Sequence, residues 1–229
     1  MPYFYSKDVN LLLIHIPKTG GTSLELYFSN KYSIKLNQNA LYMFLDETFK
    51  ISDDFNKKIS LQHQTYNTLF KFKDTLKINF NDENNKIKLI TSVRNPYDRI
   101  ISDLFWFNLI KVDSTPAEVY NVIKLYIDYK DEIINKKQID NHNIPQYLFI
   151  TDTTGKLIDS IIILRTESLT NDMFNNGFTD FNLCEQNNNQ INKKKYDEYL
   201  NTDSIKLINE FYKKDFELFN YELKNSTSR

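Results

Sequence analysis

The sequence predicts an α/β fold, a central and mainly parallel sheet flanked by helices, from three observations. Residues 9–16 form a compact apolar run that ends at Pro17 and passes through a glycine pair into a helical pattern. Residues 87–93 form a second strand pattern, rich in β-branched residues and followed by Arg-Asn-Pro and another helical pattern. No Pro/Gly/Ser-rich linker and no long-period repeat interrupts the 229 residues, so a single domain spanning 1–229 is expected. A chain of this length can bury about 70% of the surface its unfolded form exposes, enough for one sizeable core.

Each element follows from local pattern. Residues 9–16 lack alternation, as does a strand buried on both faces. Residues 22–28 place Leu24, Tyr27 and Phe28 at helical spacing, and Glu25 is expected in the first turn, where it complements the positive end of the helix dipole. Residues 37–58 give only a weak helical signal, around 41–49. KISLQ at 58–62 reads as a short strand, NFNDENNK at 79–86 as a polar loop, and IKLITSV at 87–93 as a strand rich in β-branched residues. After Pro96, the apolar residues Ile100, Ile101, Leu104, Phe105 and Phe107 mark a helix with Phe105 and Trp106 on its core face. Thr115-Pro116 opens a further helix through residue 134. Residues 147–164 read as two strands joined by a turn at 153–155, and 204–219 as a final amphipathic helix. The tract at 186–199, with three successive Asn and three successive Lys, reads as a solvated loop.

Composition narrows the partners. Apolar residues at 41%, with 17 Phe and 15 Tyr, exclude a disordered chain. A formal net charge of −1 leaves no polybasic footprint, so no nucleic-acid partner is expected and any bound anion must be met by a local site. The single cysteine, Cys184, cannot form an internal disulfide, which suits a reducing compartment. No apolar stretch approaches the ~18 residues of a membrane span, and the short apolar run at 11–14 has no cationic segment before it, so no targeting signal is expected. No membrane insertion and a cytoplasmic location are expected.

Two constellations carry chemistry. IHIPKTGGTS at 14–23 sets two of the four glycines side by side between a strand and a helix, where backbone N–H groups converge at the positive end of a helix. Lys18 adds a cation, and the hydroxyls of Thr19, Thr22 and Ser23 add donors, so Gly20 and Gly21 sit in a P-loop-like phosphate turn. The plain alternative is an ordinary βα turn. The order differs from G-x-x-x-x-G-K-[ST], because the lysine precedes the glycines. An ordinary ATP or GTP site is thereby disfavoured, and with it an obligatory magnesium, so no metal is expected. The second constellation, VRNPYDRIIS at 93–102, places Arg94 at a strand end and Ser102 eight residues on, a planar fork and a directional hydroxyl suited to another phosphate. Taken alone, a local salt bridge for Arg94 and an exposed Ser102 would explain it equally well.

Together the two stretches resemble the sulfotransferase family that uses 3′-phosphoadenosine 5′-phosphosulfate. IPKTGGTS looks like its 5′-phosphosulfate loop and VRNPYDRIIS like its 3′-phosphate motif, in the same order. The similarity runs on through 146–169 and 209–222 and is nearest the Golgi-type carbohydrate enzymes, including the uronyl 2-O group, although the anchor, stalk and cysteine pairs of those enzymes are missing from this sequence. The resemblance implies that Lys18, Thr19, Gly20, Gly21, Thr22 and Ser23 hold the 5′-phosphosulfate and that Arg94 and Ser102 take the 3′-phosphate. A donor with anionic groups at both ends of an adenosine would account for two phosphate sites.

Sulfuryl transfer needs in-line attack by an acceptor oxygen, a base, and positive charge where the leaving phosphate develops. Lys18 can supply the charge. His63, in SLQHQTY, is expected to emerge at the same sheet edge as the glycine loop and to act as base, and the uronyl 2-O group has a histidine in a similar place. The alternative is a histidine hydrogen-bonded at a strand end; Asp46 or Glu47 could then replace it. His15 is expected beneath the loop and His142 exposed. Lys193, Lys194 and Lys195 lie where similar enzymes carry a late loop over the nucleotide, so the resemblance would bring one of them toward the 3′-phosphate, but solvated surface is the favoured reading; Asn188 in the same tract resembles a family asparagine. The expected activity is sulfuryl transfer to a hydroxyl-bearing acceptor, expected to be a carbohydrate. A kinase-like phosphotransferase and a noncatalytic nucleotide or glycan binding module are the competing readings.

Overall fold

The computed structural model describes residues 1–36, 60–128, 140–182 and 195–225. It divides into two compact units, Met1–Val93 with Gln146–Cys184, and Arg94–Pro145 with Glu185–Arg229.

The first unit is built on a four-stranded mixed sheet in the order β1-β2-β3-β4. β1 (Tyr3–Ser6) runs antiparallel to β2 (Val9–Ile14), and β2 is parallel to β3 (Lys88–Val93), with Leu12 opposite Leu89. β3 is in turn parallel to β4 (Ile162–Arg165), with Ile90 opposite Ile162. β2 and β3 are buried on both faces, and their buried polar side chains Asn10, Thr91 and Ser92 are hydrogen-bonded within the protein. Leu11, Leu13 and Ile90 pack on one side with Leu24, Phe28, Leu164 and Met173, while Leu12 and Leu89 pack on the other with Leu69 and Ile78. α1 (Gly21–Tyr32), α2 (Tyr66–Lys71) and α5 (Leu169–Asn175) complete this unit. The α/β fold and the mainly parallel sheet are therefore as expected, although β1 is an antiparallel edge strand with no counterpart in the sequence reading.

The second unit is helical: α3 (Pro96–Trp106), α4 (Pro116–Asp128), α6 (Thr202–Phe211) and α7 (Lys213–Phe219). Its core gathers Tyr97, Ile100, Ile101, Leu104, Val119, Ile123, Tyr126, Tyr199, Ile208, Tyr212 and Phe216. α3 starts with Pro96 in its first turn, and the Asn95 side chain accepts from the Tyr97 N–H at 3.0 Å, a side-chain cap.

Several local expectations are corrected. Residues 61–63 form one turn of 3₁₀ helix (Leu61–His63) instead of a strand. A strand would send Gln62 and His63 to opposite faces, whereas the turn buries both. Of the two strands expected over 147–164, the second is present in part as β4, whereas the first gives way to a 3₁₀ turn at Gln146–Phe149 and an isolated bridge between Thr151 and Leu157 around the expected turn. The Asp152 carboxylate accepts from the Thr154 N–H, the Thr154 hydroxyl and the Lys156 N–H, a local alternative to the strand ladder. The last helix is split at Tyr212, which is buried and donates from its hydroxyl to the carbonyl of Asn143 at 3.4 Å. Trp106 is 64% exposed, so only Phe105 of that pair packs on the core. Among the described residues, no helix is long and apolar enough to cross a membrane.

Candidate active site

The turn Pro17–Gly20 follows β2 and leads into α1 at the carboxyl end of the parallel strands, the edge at which open α/β sheets bind ligands. Two residues of the turn, Lys18 (φ 64°) and Gly20 (φ 88°), lie in the left-handed region. For Lys18 that conformation costs of order 1–2 kcal/mol, a strain held by the turn around it. Gly20 is the N-cap of α1 and carries no capping side chain. The first N–H groups of a helix have no partner within it, and here no side chain of the N-cap covers them. A Cβ on Gly20 would also come within 3.3 Å of the Leu169 side chain.

Thr19 is fully buried, and its hydroxyl is engaged inside the protein: it donates to the Ile16 carbonyl at 2.8 Å and meets the Ser92 hydroxyl at 3.0 Å. Thr166, just after β4, donates to the carbonyls of Thr19 (2.6 Å) and Val93 (3.0 Å). One hydroxyl thus ties the glycine turn, the end of β3 and the end of β4 together. Thr22 is exposed and Ser23 half-buried, with its N–H donating to the Gly20 carbonyl at 3.1 Å.

Beneath the turn lies a buried polar cluster. His15 is buried, as expected, and its Nδ1 is 2.6 Å from Glu25 Oε1. Glu25 is 6% exposed and sits four residues after Gly21 on the inward face of α1 with Leu24 and Phe28, so it is not a dipole-facing surface residue. Gln62 Nε2 donates to both Glu25 oxygens at 2.9 Å. Burial alone would raise the Glu25 carboxyl, but the charge and hydrogen bond of His15, the amide of Gln62 and the nearby His63 hold it below the ordinary carboxylate range. The His63 ring meets the His15 ring edge-on, with centroids 5.0 Å apart and planes at 88°. Gly21 is dictated by the same cluster: a Cβ there would stand 2.3 Å from His15 Nε2. Lys18 to Ser23 and His63 therefore belong to one unit, joined through His15 and Glu25.

Arg94 and Ser102 belong to the second unit. Arg94 directly follows β3, is half-buried, and holds its guanidinium 5.5 Å from the Tyr196 ring centroid. Ser102 is half-buried on α3. Beside it on the helix, Arg99 and Asp103 are buried. Arg99 donates to the carbonyls of His142 (2.7 Å) and Ile144 (3.0 Å), and Asp103 Oδ1 lies 2.7 Å from His142 Nδ1. His142 is consequently 6% exposed, not a surface loop residue. Its burial follows from two long-range partners that no local pattern discloses.

The sequence reading missed Glu25, Gln62 and Thr166. A carboxylate on the apolar face of α1, with a histidine in the preceding segment, was the available signal for Glu25; Gln62 and Thr166 have none, since their partners are distant in the chain. Asp46, Glu47, Lys193, Lys194, Asn188 and Cys184 lie outside the described residues. Lys195 is exposed and opens the 3₁₀ turn Tyr196–Tyr199. Among the described residues, no cluster of three or more His, Cys, Asp or Glu could hold a metal.

No curated protein and no solved structure matches the chain. A family model does, over residues 1–222, which include the glycine turn, His63, Arg94 and Ser102. By that match the chain belongs to the sulfotransferase family, and its chemistry is the transfer of a sulfuryl group.

Proposed function

We propose that the protein transfers a sulfuryl group from 3′-phosphoadenosine 5′-phosphosulfate to a hydroxyl of a carbohydrate acceptor. In this reading Lys18, Thr19, Gly20, Gly21, Thr22 and Ser23 receive the 5′-phosphosulfate, Thr19 through its main chain because its hydroxyl is engaged. Arg94 and Ser102 receive the 3′-phosphate. The observation that carries the reading is the N-terminus of α1, opened by a glycine cap at the strand ends with Lys18 in the same strained turn. An anion there gains helix N–H donors and a cation together.

The reaction is an in-line displacement at sulfur. The acceptor oxygen forms the new S–O bond while the bond from sulfur to the 5′-phosphate oxygen breaks. His63 takes the acceptor proton, Lys18 neutralises the charge on the leaving oxygen, and adenosine 3′,5′-bisphosphate departs. The whole chain acts as one catalytic domain in this reading, and its lone cysteine suits the reducing cytoplasm.

Transfer of labelled sulfuryl to carbohydrate hydroxyls tests the proposal. His63→Ala should lower kcat by about 10²–10⁴-fold. Lys18→Ala should lower it by about 10²–10³-fold. Titration should show adenosine 3′,5′-bisphosphate binding more tightly than ATP, with Arg94→Ala losing about tenfold or more of that preference. Full transfer in both His63→Ala and Lys18→Ala would refute the mechanism, and magnesium-dependent ATP binding without a 3′-phosphate preference would refute the donor.

A further inference from the structure

We propose that Glu25 is a positioning residue for His63, gripping the 61–63 turn both directly through Gln62 and indirectly through the ring of His15. This inference rests on the reading of His63 as the base. The geometry is specific. One carboxylate oxygen, Oε1, takes both the His15 Nδ1 contact at 2.6 Å and the Gln62 amide at 2.9 Å. The second oxygen takes the same amide at 2.9 Å.

With its Nδ1 held by a carboxylate, the His15 ring is fixed in orientation, and its Nε2 edge lies over Gly21, where only a glycine leaves room. The fixed ring then supports His63 edge-on at 5.0 Å. Every member is at most 9% exposed, so water competes weakly for these contacts. The cluster also spans the two functional segments. His15 and Gly21 flank the glycine turn, and Gln62 and His63 form the other side, so Glu25 sets the placement of the base relative to the loop.

The charge of Glu25 is secondary to its shape in this proposal, because Oε1 alone carries one contact from each side. A glutamine amide can place its oxygen in that position and keep the His15 contact, but its NH2 then faces the Gln62 amide nitrogen where Oε2 accepts, so the direct grip is weakened. A misplacement of a base by about 1 Å can cost of order 10²-fold in rate, so removal of the grip should be visible in kcat.

The experiment is a double-mutant cycle on sulfuryl transfer by the full chain. Glu25→Ala should lower kcat about tenfold or more, by a larger factor than it raises the donor KM, because the carboxylate grips the 61–63 turn directly. Glu25→Gln, which keeps the His15 contact and weakens the Gln62 one, and Gln62→Leu, which removes one of the two grips, should each cost about threefold to tenfold. In a His63→Ala background, both Glu25→Ala and Gln62→Leu should cost less than about twofold further, since a residue that acts through His63 has nothing left to position. Gln62→Leu keeps the test open where Glu25→Ala does not fold. Additive losses in that background, or Glu25→Gln as impaired as Glu25→Ala, would overturn the proposal.

The failure of the underlying reading looks different. If His63→Ala alone retains full transfer, the base assignment falls. The nitrogen resonances of the three histidine rings give an independent readout of the grip. Glu25→Ala should move the signals of His15 and His63 and leave those of His142 unchanged; unmoved His63 signals would overturn the positioning itself.

Discussion

The two glycines of the loop serve different neighbours. Gly20 supplies a left-handed φ and an open helix cap, whereas Gly21 makes room for a histidine ring. Gly21→Ala must displace His15, so it should destabilise the protein by roughly 1–3 kcal/mol in chemical denaturation and lower kcat with it. Gly155 is the control. It also has a positive φ, but a Cβ there meets nothing within 4 Å, so Gly155→Ala should cost about 1–2 kcal/mol of strain and leave transfer unchanged. The sequence disclosed the glycine pair but not this division of labour, because the His15 ring reaches Gly21 only once the strand and the helix are folded against each other.

At the scale of the elements, β2 and β3 were readable because strands covered on both faces are rich in apolar and β-branched residues. Their helices were readable from spacing and, for α3, from its proline, while its asparagine cap emerged only with the structure. β1 was not, since YFYS becomes a strand only by pairing with β2, and a short edge strand leaves little mark of its own. The joints between elements were equally hidden. Thr166 closes the ends of β3 and β4 onto the glycine turn with one hydroxyl. Thr166→Val keeps the shape and removes that donor from two carbonyls, so it should cost about 1–3 kcal/mol of stability. If the brace holds the turn in its binding form, the affinity for adenosine 3′,5′-bisphosphate, measured calorimetrically, should fall as well.

Across the molecule, buried carboxyls and buried phenols carry opposite pH sensitivities, as groups from each unit illustrate. In the first, Glu25 is held below its ordinary value of 4.5 in the folded state. Its contribution to stability is therefore present above pH 4.5 and is lost as the pH falls through the lowered value. Glu25→Gln should flatten the acid limb of the unfolding free energy against pH. In the second unit, burial raises the phenols of Tyr126 and Tyr212 above 10, with Asp103 adding to the effect on Tyr126. Their contribution is present below pH 10 and is lost as the pH rises toward the folded values, because the unfolded chain ionises first. Tyr212→Phe should flatten the alkaline limb, read by tyrosinate absorbance alongside unfolding.

By itself the sequence determined the α/β class, the two strand-turn-helix stretches with their lysine, glycines, arginine and serine, and the sulfotransferase resemblance that the family match supports. These are local patterns, set by residues within one or two turns of each other. Tertiary structure alone decided that Glu25 faces inward, that Gln62 and His63 share a 3₁₀ turn, that His142 is buried against Asp103, and that Thr19 is engaged by Ser92 and Thr166. Each of these depends on a buried polar group finding its partner. In most of them the partner lies tens of residues away, where spacing along the chain carries no information about contact.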